Sequence, residues 1–552
     1  MNQISKAPQM ELSSDKSSSS APTGGSVTQN LKDKHNRIGV EKKSTSDLLL
    51  SLFVYKMCTF NLLVDLTPKL IRLAEMMHLS APAYWIGRKT FFAQFCGGET
   101  AEDCIGTMNS FKNAGINSIL DLSIEFDLNE SDLTSQTSFD IRARCNKSAD
   151  DIANQISACI ETASNVSRSF AAIKVTAISS PLLLQQVSST LNTLQSTFKN
   201  MDQDRDGKIT KEEFRQLLKL FPSPGGMYGS FEAVADQLFK EADKDQNGHV
   251  DWVDFTSTVS LNRDETRALF ASTHAGDESA TVISGLAKED LDDYSYFQPA
   301  IDNVALHLME QYNHTPHADG PLIYNTYQMY LKDALTRLQQ DYTRAQRNDY
   351  IMAAKLVRGA YMVSERKGAQ ELGLGDPICN GIEATHKSYN AGVDFMLGQM
   401  ASKLKANQGK SESQSEGSSP STLSLQNSPV VLFVASHNGG SVIRTCERME
   451  ELSLTPQSGL VMFGQLMGMC DQISYTLGRH GYDIYKNVPY GPIHRVIPYL
   501  IRRAQENSSV LGGVAVERNL FVEELKSRFI AQKSRALIQA VPVVPAGPTT
   551  TL

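Results

Sequence analysis

The 552-residue chain is short of several things, and each shortage excludes a class. Its eight cysteines are irregularly spaced and include no C-x-x-C pair. That excludes a disulfide framework and a zinc ribbon, and it suits a reducing compartment. Positive charge is not in excess: the formal net charge is −8. A nucleic-acid protein held mainly by charge is therefore not expected. No apolar run reaches the roughly 20 residues a spanning helix needs. The most apolar stretch, 48–64, is interrupted by Lys56, Thr59 and Asn61 and followed by Asp65, and it predicts two buried amphipathic helices. There is no Walker loop, H-E-x-x-H or G-x-S-x-G, and no G-x-G-x-x-G after a strand. Any dinucleotide would have to bind without a Rossmann turn.

What is present suits a large soluble protein, with 41% hydrophobic residues for an ordinary core. Residues 1–45 are rich in Ser, Lys, Asp and Gly and predict a disordered tail. They lack the apolar region of a secretory signal, and Glu11 and Asp15 do not suit a mitochondrial presequence. N-terminal helices are expected over 46–110 and a frayed tail over 538–552. Short apolar runs fall at 116–122, 171–178, 321–327, 354–360, 430–435, 460–464 and 484–490, each followed by a helical pattern. Such runs predict parallel strands covered by helices. With a weak eighth, they make an α/β (βα)8 TIM-type barrel, its first part at 111–185 and its second at 263–537. A serine-rich loop, 406–429, interrupts the second part.

Between the two parts, 186–262 carries a pair of EF-hand-type calcium loops. The first reads Asp202-Gln-Asp204-Arg-Asp206-Gly207-Lys208-Ile-Thr210-Lys-Glu-Glu213. Its side-chain oxygens fall at positions 1, 3, 5, 9 and 12, with the Lys208 carbonyl at 7 and Gly207 at the sharp turn, as a seven-oxygen cage requires. The second loop, 243–254, offers Asp243, Asp245, Asn247, His249 and Asp254. Asp254 is shorter than the usual glutamate at position 12, which predicts a weaker site.

Polar groups emerge repeatedly where the strands end, as catalytic groups do on a barrel. They are Asp121 and Glu125, Lys174, Asn325 and Tyr327, Lys355, Arg358 and Tyr361, and His437 and Asn438. Further on, Tyr499, Arg502, Arg503 and Glu506 share one helical face. Paired guanidinium forks beside an aromatic make a carboxylate clamp. A solvated helix face with an internal ion pair would have the same spacing.

Several of these segments, taken in order, resemble the FAD-dependent proline dehydrogenase (proline oxidase) family, eukaryotic mitochondrial branch. They are Thr90-Phe-Phe-Ala-Gln-Phe-Cys-Gly-Gly-Glu99, Tyr296-Phe-Gln-Pro-Ala300, Asn325-Thr-Tyr-Gln328, Lys355–Tyr361, Ala435-Ser-His-Asn438, Phe463-Gly-Gln-Leu-Met-Gly-Met469 and Tyr499–Asn507. The resemblance implies a barrel holding FAD at its C-terminal mouth. It also implies oxidation of L-proline to 1-pyrroline-5-carboxylate, by hydride transfer to the flavin. Electrons would then pass to ubiquinone, with peripheral contact on the matrix side of the inner mitochondrial membrane. By motif position, Arg502 and Arg503 would clamp the proline carboxylate, and Lys174, Tyr361, Tyr499 and Glu506 would shape the substrate pocket. Asn325, Lys355, Arg358, Thr385, His437 and Asn438 would contact the flavin. Three departures stand out: Asp290-Leu-Asp292-Asp293 where the family has a third strand, Asn487 where relatives often have Tyr, and His386 for a usual Asn. They leave two alternatives open, a hydroxyproline dehydrogenase and a catalytically dead barrel acting as a calcium-binding regulatory protein.

Overall fold

The computed structural model describes residues 26–123, 138–178, 181–221, 230–270, 297–314, 320–371, 375–412, 423–509 and 513–539. Within them the strands are β1 (Asn117–Leu122), β2 (Phe170–Ala172), β3 (Lys208–Thr210), β4 (His249–Asp251), β5 (Asn325–Gln328), β6 (Met352–Val357), β7 (Val430–Ala435), β8 (Val461–Leu466) and β9 (Ile484–Tyr490). Seven of them form one curled sheet in the order β2-β1-β9-β8-β7-β6-β5, with every neighbouring pair parallel. The first strand of the chain pairs with the last, which is how a parallel sheet wraps on itself. The edges are β2 and β5, and the expected third-strand region around Asp290–Asp293 lies outside the described residues.

Helices cover the convex face, so residues alternate between a helix-packed side and the concave interior. The lower interior is filled by aromatic rings: Phe170 and Phe433 lie 5.2 and 5.4 Å from Tyr485, and Tyr324 lies 5.4 Å from Phe170. Gly464 faces this plug, and a Cβ there would come within 2.4 Å of the Phe433 ring. Polar groups crowd above the plug, towards the C-terminal ends of the strands.

Four expectations change. The second apolar run holds a strand of only three residues, and Val175–Ile178 turns into helix, so Lys174 follows β2 instead of lying within it. The tail expected over 1–45 is folded from Ser26 onward. There, Ser26 caps the helix Val27–Lys32, Lys32 pairs with Glu447 at 2.7 Å, and Val27 and Val40 are buried. Local composition missed this because the segment is ordered by the barrel, not by itself. The helix Ile382–Glu412 runs into the expected serine-rich loop. Finally, Thr45–Cys58 buries Leu48, Val54 and Tyr55 as expected, but Asn61–Met76 leaves Leu62, Leu66, Leu70 and Leu73 exposed.

The insert consists of two helix–loop–helix units. Pro181–Met201 leads through β3 to Lys211–Lys219, and Phe231–Ala242 leads through β4 to Trp252–Thr258. The loops pair antiparallel, with Ile209 opposite Val250, over a shared core of Phe198, Phe214, Phe239 and Phe255. Gly207 and Gly248 make the sharp turns at φ +85° and +82°.

Candidate active site

Register places Asn487 of β9 beside Ile119 of β1, one step below Asp121 on the same concave side. The Asn487 amide donates to Asp121 Oδ2 at 3.0 Å, and Lys174 Nζ sits 3.1 Å from Asp121 Oδ1. Burial alone would raise the Asp121 pKa, but the Lys174 charge and the Asn487 bond outweigh it and hold the carboxyl below its usual range. Lys355 projects into the same space above the Phe433 ring, 6.0 Å from its centroid. Its pKa is lowered by burial first, with Asp121 opposing. The mouth therefore holds two lysines around one fixed carboxylate.

Arg358 follows β6 and is held on three sides. Its Nε donates to His386 Nδ1 at 3.1 Å, and its two terminal nitrogens donate to Ser436 Oγ at 2.7 Å and Ser441 Oγ at 3.0 Å. The guanidinium lies 4.3 Å over the Tyr389 ring. A cation locked this way is a preorganised seat for phosphate or another anion. Asn438 caps the helix Gly439–Glu451, its Oδ1 accepting from the Ser441 N–H at 2.9 Å. What Asn438 brings to the site is thus a helix N-terminus, which favours anions. Thr385 is buried in the first turn of Ile382–Glu412, where its hydroxyl donates to the Gly381 carbonyl at 3.3 Å.

His437 Nε2 accepts from the Leu466 N–H at 3.1 Å, so the neutral ring carries its proton on Nδ1. Burial, then the charges of Lys486, Arg503 and Arg358, push its pKa down to about 3. An unfolded histidine titrates near pH 6.5, so the unfolded state takes the proton first. The stability this ring contributes is whole above about pH 6.5 and declines as pH falls from there towards 3. Nitrogen NMR at pH 5 is expected to show a neutral imidazole protonated on Nδ1; a charged ring at that pH would contradict this.

The helix Ile493–Ser509 follows β9, and its Val496, Tyr499 and Leu500 pack with Phe92, Phe95 and Met469. Arg503 is buried with its guanidinium 4.9 Å over the Tyr499 ring, and Arg502 beside it is half-buried. The Arg503 charge reaches His437, which ties this helix to the same site as the strand ends. Tyr361 is nearly half exposed at the end of β6. The side chain of Glu506 and the whole of Glu125 lie outside the described residues.

Asn325 is a correction. Its side chain faces the helices, donating to Asp302 Oδ1 at 2.9 Å and accepting from the Thr326 N–H at 2.8 Å. Tyr327, with the same phase, donates to Asp341 Oδ2 at 2.7 Å. Alternation therefore puts Thr326 and Gln328, not Asn325, on the concave side. Tyr324 of the interior plug shares the phase of Thr326 and Gln328, a placement that the structure and not the sequence supplies.

Sequence reasoning also missed a buried charge cluster behind β9. Lys486 is fully buried, pairs with Asp471 Oδ1 at 2.8 Å and donates to the Met469 carbonyl at 2.5 Å. Asp471 Oδ2 also pairs with Lys43 at 2.7 Å. Glu517 accepts from the Cys470 and Asp471 N–H groups and from the Tyr55 hydroxyl. This cluster fixes the turn after β8 and therefore the Leu466 N–H that orients His437.

The profile of the proline dehydrogenase family matches residues 104–515. Human mitochondrial proline dehydrogenase 1 is 29% identical, with 88% of each chain covered. The hydroxyproline dehydrogenase of Xenopus laevis is 30% identical, with 89% of each covered. Among solved structures, proline utilization A from Bdellovibrio bacteriovorus gives a TM-score of 0.49 at 14% identity, over 87% of this chain and 41% of that one. The chain thus spans less than half the length of that protein. With its profile matched across most of its length, this chain belongs to the proline dehydrogenase family.

Proposed function

We propose that the protein is an FAD-dependent proline dehydrogenase that oxidises L-proline to 1-pyrroline-5-carboxylate and delivers the electrons to ubiquinone. One observation carries the reading. A buried arginine on Ile493–Ser509 and a Lys174–Asp121 pair face the same mouth as Arg358 and a neutral His437, which suits a small amino acid beside an anionic cofactor. The fold behind it, in this reading, is a (βα)8 barrel, supported by the seven parallel strands found among the described residues, with β2 and β5 at the edges of their sheet.

The residues present fit a flavin dinucleotide. Arg358 and the helix start at Asn438 would hold its phosphates, and Lys355, Thr385 and the His437 Nδ1–H would face its rings. Gln328 replaces Asn325 in that set. When bound, the flavin supplies the hydride acceptor. Arg502 and Arg503 bind the substrate carboxylate bidentately, Tyr499 walls the ring, and Lys174 with Asp121 fixes its orientation. Packed against the N-terminal helices, Ile493–Ser509 would help to exclude water from the reacting carbon.

A second reading, hydroxyproline dehydrogenase, is favoured by Asn487. Its amide stands at the Asp121 carboxylate and could meet an added hydroxyl. Steady-state rates with a soluble quinone decide between the two. The value of kcat/KM for L-proline is expected to exceed that for trans-4-hydroxy-L-proline at least tenfold; a reversed ratio moves the assignment to the second reading. A flavin-loaded protein that turns over neither overturns both.

Mitochondrial inner-membrane placement, on the matrix side, is the matching reading of where it works, and two relatives are named mitochondrial. Among the described residues no helix is long and apolar enough to cross a membrane. The exposed stripe of Leu62, Leu66, Leu70 and Leu73 supports a peripheral contact instead. Anionic vesicles are expected to sediment the protein, and the double substitution Leu66→Asp/Leu73→Asp to release it; unchanged sedimentation counts against this surface.

The first loop of the insert fits a divalent cation. Carboxylate oxygens of Asp202, Asp204 and Asp206 lie within 4.8 Å of one another, and Asp202 accepts from the Gly207 N–H at 2.9 Å. Asp202, Asp204, Asp206, the Lys208 carbonyl and Glu213 would hold calcium there.

A further inference from the structure

The two loops of the insert differ in what already sits on their ligand positions. In the first, the position-12 residue Glu213 bonds within its own loop, accepting from the Thr210 N–H at 2.8 Å. In the second, positions 9 and 12 are both taken by one guanidinium from the barrel. Arg347 Nη1 lies 2.8 Å from Asp251 Oδ1 and 2.9 Å from Asp254 Oδ2, and Nη2 lies 2.7 Å from Asp251 Oδ2. Lys244, at position 2, donates to Asn348 Oδ1 at 2.9 Å.

Arg347 is the last residue of Ala334–Arg347, a helix anchored in the barrel core through Ala334, Leu338 and Ala345. The clasp therefore joins the insert to the barrel. The front half of the second loop keeps the shape of a cation loop: Asp243 accepts from the Asn247 and Gly248 N–H groups at 2.9 and 3.0 Å, and Gly248 sits at φ +82°. Beside the clasp the seam is polar, a cleft of ≈510 Å³ lined in part by Lys244, Glu310, Arg344 and Asn348.

We infer that the second loop is a docking site for the barrel's own Arg347, and that a divalent cation competes with this guanidinium for Asp251 and Asp254. A seven-oxygen cage needs the position-12 carboxylate turned into the loop. The same oxygens cannot serve the planar Arg347 fork at once. Filling the second loop with calcium thus releases the clasp, and an undocked insert binds calcium more tightly.

The inference rests on reading the pair as cation loops, and the test separates the two. Calcium is titrated by calorimetry into the full chain, into Asp204→Ala/Asp206→Ala, where only the second loop reports, and into that variant with Arg347→Gln added. Losing a partly exposed bidentate pair is expected to tighten the second site about tenfold. Raising salt should narrow that gap, because the clasp is ionic. Equal affinity in the last two proteins, both folded by circular dichroism, overturns the competition while leaving the first loop's uptake intact. No calcium uptake by the full chain overturns the loop reading and the competition with it.

Discussion

Replacing Arg503 by methionine is expected to lower kcat/KM for L-proline by about a hundredfold or more, while the protein keeps its flavin. Arg503 is buried and braced over the Tyr499 ring, so its guanidinium is positioned before substrate arrives. A carboxylate held by a charged fork loses roughly 1.5–3 kcal/mol per charge-assisted bond, more when it is left buried and unpaired. At about 1.36 kcal/mol per decade, two such bonds exceed a hundredfold. Arg503→Lys keeps the charge without the fork and is expected to recover only part of the loss. The defect should fall on KM and kcat together, because misplacing the carboxylate also misplaces the reacting carbon. Initial rates within threefold of the parent protein would contradict this role.

Asp471→Asn is expected to destabilise the fold by about 3–5 kcal/mol, the range seen when one partner of a buried ion pair is removed. Burial opposes the Asp471 charge, but Lys43 and Lys486 more than offset it and hold the carboxyl well below its ordinary range. Without it Lys486, fully buried on β9, loses its paired carboxylate and keeps the Leu466 and Met469 carbonyls. Because the folded pKa is lowered, the contribution is present above the ordinary carboxylate pKa of roughly 4 and is lost as pH falls through the folded value below it. A lower urea midpoint at pH 7, converging with the parent in strong acid, is the expected pattern. An unchanged midpoint at pH 7 would contradict it.

Much of this site was legible in the sequence because it obeys local rules. Continuous apolar runs mark parallel strands, and the polar residues that follow the strands fall at the mouth, as Lys174, Arg358 and His437 do. The features that were not legible depend on partners far away. Asn325 and Gln328 are three residues apart, yet a helix carrying Asp302 decides which of them faces inward. The Asn487–Asp121 bond spans 366 positions, and no periodicity in either strand announces it. Lys486 breaks the apolar pattern of β9 only because Asp471 waits behind it. The folded segment from Ser26 had too few apolar residues to signal order, since its order comes from the surface it lies on. The exposed leucines of Asn61–Met76 read as core for the opposite reason: hydropathy does not tell a buried apolar face from an exposed one.

The most direct test is the visible absorption spectrum of the purified full chain before and after anaerobic addition of L-proline. Bound oxidised flavin is expected, with bands that bleach on adding proline and return on adding a quinone. A protein that takes up no FAD on reconstitution, or that holds flavin which neither proline nor hydroxyproline bleaches, would contradict the assignment.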